Sequence, residues 1–145
     1  MIKINFVCVG KLKEGYWREA VGEYAKRLSR FCKTEIRELP ERGGPRDEAE
    51  EILRACRGYT FALAVEGGSC GSEKFAEKLK ALCDRGEEMT FVIGSSCGLD
   101  GSVKASANEL ISFSQMTFPH QMMRVILFEQ VYRAFMINSG SEYHK

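Results

Sequence analysis

The chain has 145 residues, 44% apolar and 28% charged, with a formal net charge of +1. That length fits one domain, spanning 1–145, with room for a sizeable core. The composition is ordinary for a globular protein and excludes a globally basic nucleic-acid binder.

In chain order, "IKINFVCVG" reads as a strand ending at a glycine. "EGYWREAVGEYAKRLSRFC" carries Trp17, Val21, Tyr24 and Leu28 at three- and four-residue steps, the pattern of an amphipathic helix. "TEIREL" alternates as a strand does, and Pro40 ends it; "ERGGPR" is a loop. "DEAEEILRACRG" is a helix with acids in its first turn and a glycine past its end, both suited to the helix dipole and cap. "YTFALAV" is a buried strand, "EGGSCGS" a Gly-rich loop, and "EKFAEKLKALCDRG" a helix closed by Gly86. "MTFVIG" is another apolar strand, "SSCGLD" another small-residue loop, and "GSVKASANE" a short, weak helix. "LISFSQMTF" holds a strand and a loop. "PHQMMRVILFEQVYRAFMIN" is the last helix, with Pro119 in its first turn. Strands alternating with helices argue for an α/β domain with a mostly parallel sheet flanked by helices.

Charge is unevenly spread. Lys11 to Lys33 holds seven Lys/Arg against three Glu, whereas Thr34 to Glu51 holds three Arg against seven acids. The first stretch is either a phosphate-facing surface or a solvated helix face. Six cysteines, at 8, 32, 56, 70, 83 and 97, include no C-x-x-C spacing, and there are only two histidines, so no metal site is expected. No export signal and no membrane-length apolar run stand out, so the thiols are expected to be reduced in a cytoplasm.

Ligands of open α/β sheets bind beyond the carboxyl ends of the strands. Three small-residue segments fall there: "EGGSCGS", "GSSCGLDGS" and "SFSQMTFPH". Gly94 and Gly98 flank "SSC" directly after a strand. They make either a nucleotide cradle or an ordinary tight βα turn. The last helix is apolar in nearly every direction, which calls for burial on more than one side, most simply against a second copy across a two-fold. His120 and Arg124 share one face; Glu129 and Arg133 lie roughly opposite as an i,i+4 pair, which a structural ion pair would also explain. The tail "SGSEYHK" ends in Tyr143 and His144, either a frayed terminus or a segment ordered by a partner.

"FVIGSSCGL", then "LISFSQMTFPHQMMRVILFEQVYRAF" and "YHK", resemble the RlmH type of ribosomal RNA methyltransferase, of the SPOUT superfamily. "VGKLKEGYWREAVGEYAKRL" resembles that family's opening strand and helix, so the resemblance spans the chain. It implies an α/β fold with a C-terminal trefoil knot, which topology rules alone would have excluded. It further implies methylation of N3 of a pseudouridine in 23S ribosomal RNA, with S-adenosylmethionine, by a homodimer on the assembled ribosome. Neighbouring expectations are a related enzyme acting on transfer RNA, or a ribosome-binding homologue with weakened catalysis.

Carried over by position, the cofactor site would use the backbone at Ala64, at Gly94, and at Phe113, Ser114, Gln115, Met116, Thr117 and Phe118. Arg133, Tyr143 and His144 would be catalytic; Arg133 would stabilise charge, while Tyr143 or His144 would position the base or accept its proton. His120 and Arg124 would organise the cofactor loop and contact RNA, with Lys11, Lys13 and Arg18 on phosphates. Two departures stand out. Ser95 replaces the second glycine of the family's "IGG", and "LAVEGGS" replaces its Leu-acid-Gly-Lys run. A positive φ at Ser95 would cost about 1 kcal/mol.

Overall fold

A computed structural model describes residues Met1–Lys145. The five strands are β1 (Lys3–Val9), β2 (Lys33–Leu39), β3 (Tyr59–Gly68), β4 (Met89–Ile93) and β5 (Glu109–Ile111). They form one sheet in the order β2-β1-β4-β3-β5, every pair parallel. The helices are α1 (Gly15–Leu28), α2 (Pro45–Ala55), α3 (Ser72–Asp84), α4 (Gly101–Ser106) and α5 (His120–Asn138). Parallel strands need crossover connections, and these helices supply them, covering both faces.

The two-residue period of the strands sorts their side chains into two cores. Ile4, Phe6 and Cys8 of β1, with Phe61 and Phe91, meet buried residues of α1, α3 and α5. Val7 and Val9, with Ala62 and Val92, meet Ala49 and Ile52 of α2 and Val103 of α4. Asn5 is buried and satisfied, its amide donating to Glu88 Oε2 at 2.7 Å and to the Met89 carbonyl at 3.2 Å. An aromatic column seats α5 on the sheet. Phe128 stacks on Phe6 at 4.0 Å between ring centroids, Phe6 lies 5.8 Å from Phe91, and Phe61 lies 4.8 Å from Phe91.

Element order and type follow the sequence reading; several boundaries differ, with local causes. Helix α2 begins at Pro45, inside the expected loop, because proline's fixed φ and missing N–H suit a helix's first position. Pro119 caps α5 from outside instead of sitting in its first turn. Strand β3 runs through Gly68, where a loop was expected, and its register against β5 breaks between Leu63 and Gly68. A Cβ at Gly67 would lie 2.7 Å from the Leu110 backbone, so a glycine is what lets the chains close again after the break.

Ser95 is not asked to take a positive φ: no residue other than glycine has one. Gly98 takes it, at +83°, and Ser95 bridges to Gly98 while its hydroxyl donates to Glu48 at 3.4 Å.

Phe128 is fully buried between sheet and helices. Phe128→Ala should lower stability by about 3–5 kcal/mol, read as a reduced urea midpoint at fixed protein concentration.

Candidate active site

The carboxyl ends of β3, β4 and β5 frame a cavity of about 860 Å³. Its walls are Leu63–Glu66 on β3, Ile93–Leu99 after β4, Ile111–Ser114 and Met116–Phe118 after β5, and the first turn of α5. Leu63, Ile93, Leu99 and Ile111 give it an apolar side. Gly94 shapes the second wall: a Cβ there would stand 2.5 Å from the Gly98 carbonyl oxygen. The third wall is braced by its own serines. Ser112 Oγ donates to the Ser114 carbonyl at 2.9 Å, and Met116 N–H donates to Ser114 Oγ at 2.9 Å.

Of the residues expected at a cofactor, Ala64, Gly94, Phe113, Ser114, Met116, Thr117 and Phe118 all line this cavity, and Gln115 does not. Gln115 is exposed. His120, expected at the cofactor loop and the RNA, lines the cavity too. Sequence reasoning missed Glu66 and Lys104, which pair at 2.6 Å on the wall between β3 and α4. The one available signal was Glu66's position, the first charged residue after the apolar half of β3.

A second cluster sits at the far end of α5. Arg133 and Glu129 form a two-point ion pair, Nε to Oε1 at 3.2 Å and Nη2 to Oε2 at 2.9 Å. The Tyr143 hydroxyl donates to Glu129 Oε2 at 2.9 Å, and the Arg133 guanidinium lies 4.9 Å from the Tyr143 ring centroid. Tyr143 packs edge-on against Tyr132. Arg133 Nη1 is 3.0 Å from His144 Nδ1, and His144 Nε2 is 2.8 Å from Glu73 Oε1. A guanidinium only donates, so Nδ1 accepts and Nε2 carries the proton given to Glu73. Arg133, Tyr143 and His144 thus come together, and the tail, expected to be frayed or ordered by a partner, is held by its own helix and by α3. That bond from His144 also holds the Glu73 carboxyl below its ordinary range.

Burial, followed by the Glu129 hydrogen bond, pushes the Tyr143 phenol up to about 12. Tyr143 is therefore a protonated donor at neutral pH, not a base. The two clusters do not meet within one chain. His120 and Arg133 are thirteen residues apart on α5, about 20 Å along its axis.

Arg124 corrects an expectation. Its side chain is 1% exposed, with Nη1 on Glu38 Oε2 at 2.5 Å and Nη2 on the Gly10 carbonyl at 3.1 Å. Buried under the turn after β1, it cannot reach RNA; its Nε has no partner. Lys11, Lys13 and Arg18 are exposed on that turn and at the start of α1. No group of three or more His, Cys, Asp or Glu side chains gathers at metal-binding distance, and no helix is long and apolar enough to cross a membrane.

A phenol whose folded pKa is raised stabilises the fold below its unfolded value, near 10, and loses that contribution as pH rises toward 12. In a spectrophotometric titration, the component removed by Tyr143→Phe should therefore ionise near 12. Glu129→Gln should bring it down without restoring the free value, because burial persists.

The family model for a predicted SPOUT methyltransferase matches residues 2–144. A curated relative from Lactobacillus delbrueckii subsp. bulgaricus, named ribosomal RNA large subunit methyltransferase H, is 46% identical, covering 99% of this chain and all of its own. One of the same name from Levilactobacillus brevis is 48% identical with the same coverage. Among solved structures, one described as a probable methylase family protein from Haemophilus influenzae superposes with a TM-score of 0.59 at 12% identity, over 99% of this chain and 70% of that one. That last likeness speaks for the fold alone. The sequence likeness extends along the whole chain, through the cavity loops and the ordered tail, and the chain belongs to the SPOUT methyltransferase family, in the group called ribosomal RNA large subunit methyltransferase H.

Proposed function

We propose that this protein methylates N3 of a pseudouridine in 23S ribosomal RNA within the assembled ribosome, in the cytoplasm, as a homodimer using S-adenosylmethionine. The observation that carries this reading is the full-length identity to relatives of that name, supported by a cavity at the strand ends and a polar cluster on α5 and the tail. The trefoil knot rests on family membership; the placement of β4 between β1 and β3 is compatible with it.

The residues suit the cofactor. An apolar wall fits a flat purine, main-chain groups along Phe113–Phe118 can hold its polar edge, and the Glu66 carboxylate can accept from hydroxyl or ammonium groups. S-adenosylmethionine, when bound, supplies an electrophilic methyl group. The chain must hold the uracil-like ring in line and offset the charge that grows as the imide N3–H gives up its proton. Arg133 is the group for that charge: its guanidinium is fixed by Glu129 and can donate to a base carbonyl oxygen. Tyr143, protonated, adds a second donor. Glu129, already accepting from both, is the carboxylate through which proton movement would pass.

A dimer brings these groups to a cavity. Met122, 37% exposed, and the half-buried Val125, Ile126, Glu129 and Arg133 leave one side of α5 only partly covered. A second copy on that side can carry its Arg133, Tyr143 and His144 toward this chain's cavity, bridging the separation along α5. The weakened-homologue alternative loses its motive, because Ser95 is unstrained.

Unmodified ribosomes incubated with the protein and S-adenosylmethionine should gain one methyl group on a 23S pseudouridine, read by mass spectrometry of the RNA. Arg133→Ala should cut the rate about a hundredfold while calorimetric binding of the cofactor persists. Methylation of free transfer RNA instead of ribosomes would overturn the assignment. Met122→Glu combined with Val125→Glu should give a folded monomer in sedimentation, and that monomer should not methylate.

A further inference from the structure

The turn Gly10–Glu14 and the first turn of α1 have features the methyl-transfer site does not use. Lys11 and Lys13 are exposed, and the protein's lysine ion pairs are made by Lys3, Lys74, Lys78, Lys80 and Lys104 instead. Tyr16 is 63% exposed and is the single aromatic ring among the exposed large hydrophobic side chains. It leans on Trp17, centroid to centroid 5.1 Å at 61°, and Trp17 is packed against the main core. The ring is therefore propped from one side and open to solvent over much of its surface.

The turn is held rigid from beneath. Gly10 N–H donates to the Leu39 carbonyl at 2.7 Å, and the Gly10 carbonyl accepts from Arg124 at 3.1 Å. Leu12 N–H donates to Glu38 at 3.4 Å, and its side chain is buried. Arg18 Nη1 donates to the carbonyls of Leu12, at 2.9 Å, and Lys13, at 2.6 Å. Glycine is required at position 10, where φ is +92° and a Cβ would approach Glu41 Oε1 to 2.9 Å. The turn also lies beside the cavity. It leaves β1 where β1 pairs with β4, Cys8 opposite Ile93, and Ile93 lines the cavity.

We infer that Gly10–Arg18 is a preformed docking element for unpaired RNA, in which the Tyr16 ring stacks on an exposed base and Lys11 and Lys13 take the adjoining phosphates. An aromatic face flanked by unpaired cations, on a backbone that needs no reordering, is the chemistry that binds single-stranded nucleic acid. Phosphate contacts give salt-dependent affinity, and stacking gives a salt-independent part. This rests on the RNA-directed reading above and adds a base-stacking residue to it.

The test uses the full-length protein with ribosomes at saturating S-adenosylmethionine, and separately with oligouridylate as a binding probe. Tyr16→Ala should raise KM for ribosomes about tenfold, with kcat and cofactor affinity unchanged. Tyr16→Phe and Tyr16→Trp should stay within about twofold, because each keeps a ring to stack. On oligouridylate, Tyr16→Ala should weaken binding without altering its salt slope, whereas Lys11→Ala with Lys13→Ala should lower that slope by about 1.4. The inference is overturned if Tyr16→Ala matches the wild type on both substrates, or if Tyr16→Phe fails as badly as Tyr16→Ala. It is overturned in favour of a protein contact if Tyr16→Ala loses ribosomes but binds oligouridylate normally. Absence of any ribosome methylation by the wild type would sink the proposed function and leave the stacking inference to be decided by the oligouridylate measurements.

Discussion

Helix α5 is held to the sheet by the stack of Phe128 on Phe6, and most of what matters in this protein hangs from that contact. Phe6 belongs to β1, which has β2 on one side and β4 on the other, so the anchor is tied to the centre of the sheet. With α5 fixed there, its first turn closes the cavity at the strand ends and its last turns present Arg133 and the tail. A shift of one helical turn, about 5.4 Å, would spoil both at once.

Polar contacts set the fine position that apolar packing leaves loose. Arg124 ties α5 to the end of β1 and to Glu38 at the end of β2, in a place too buried for an unpaired charge to be tolerated. The same residue braces the Gly10–Glu14 turn, so the cavity's mouth and the basic turn share one fixed point. At the other end, Glu129 gathers the Arg133 guanidinium and the Tyr143 hydroxyl. A flexible terminus would otherwise have to be ordered by substrate; here much of that ordering is already done within the chain.

Elements were readable because their signals are local. The three- and four-residue steps of α1 and the apolar runs of β3 and β4 are direct consequences of helical and strand geometry. The small-residue loops after the strands pointed to the cavity for the same reason, and Ala64, Gly94 and most of Phe113–Phe118 line it. Gln115 is exposed and lies outside that lining, which spacing in a loop does not encode. Arg124 failed because an arginine on an apolar helix reads the same whether it reaches solvent or a buried carboxylate. Glu38 lies 86 residues away in sequence, and only folding brings the two together.

The amino-acid sequence by itself determined the alternation of strands and helices, the family, and the residue types of the site, since each is written in short-range pattern or motif. Tertiary structure decided which of those residues share a space. It put His120 at the cavity, buried Arg124, protonated Tyr143 through burial and Glu129, and set Arg133 about 20 Å along α5 from His120. Burial and electrostatic partnership are properties of neighbours brought together across the chain, and those neighbours exist only once the sheet has ordered its strands.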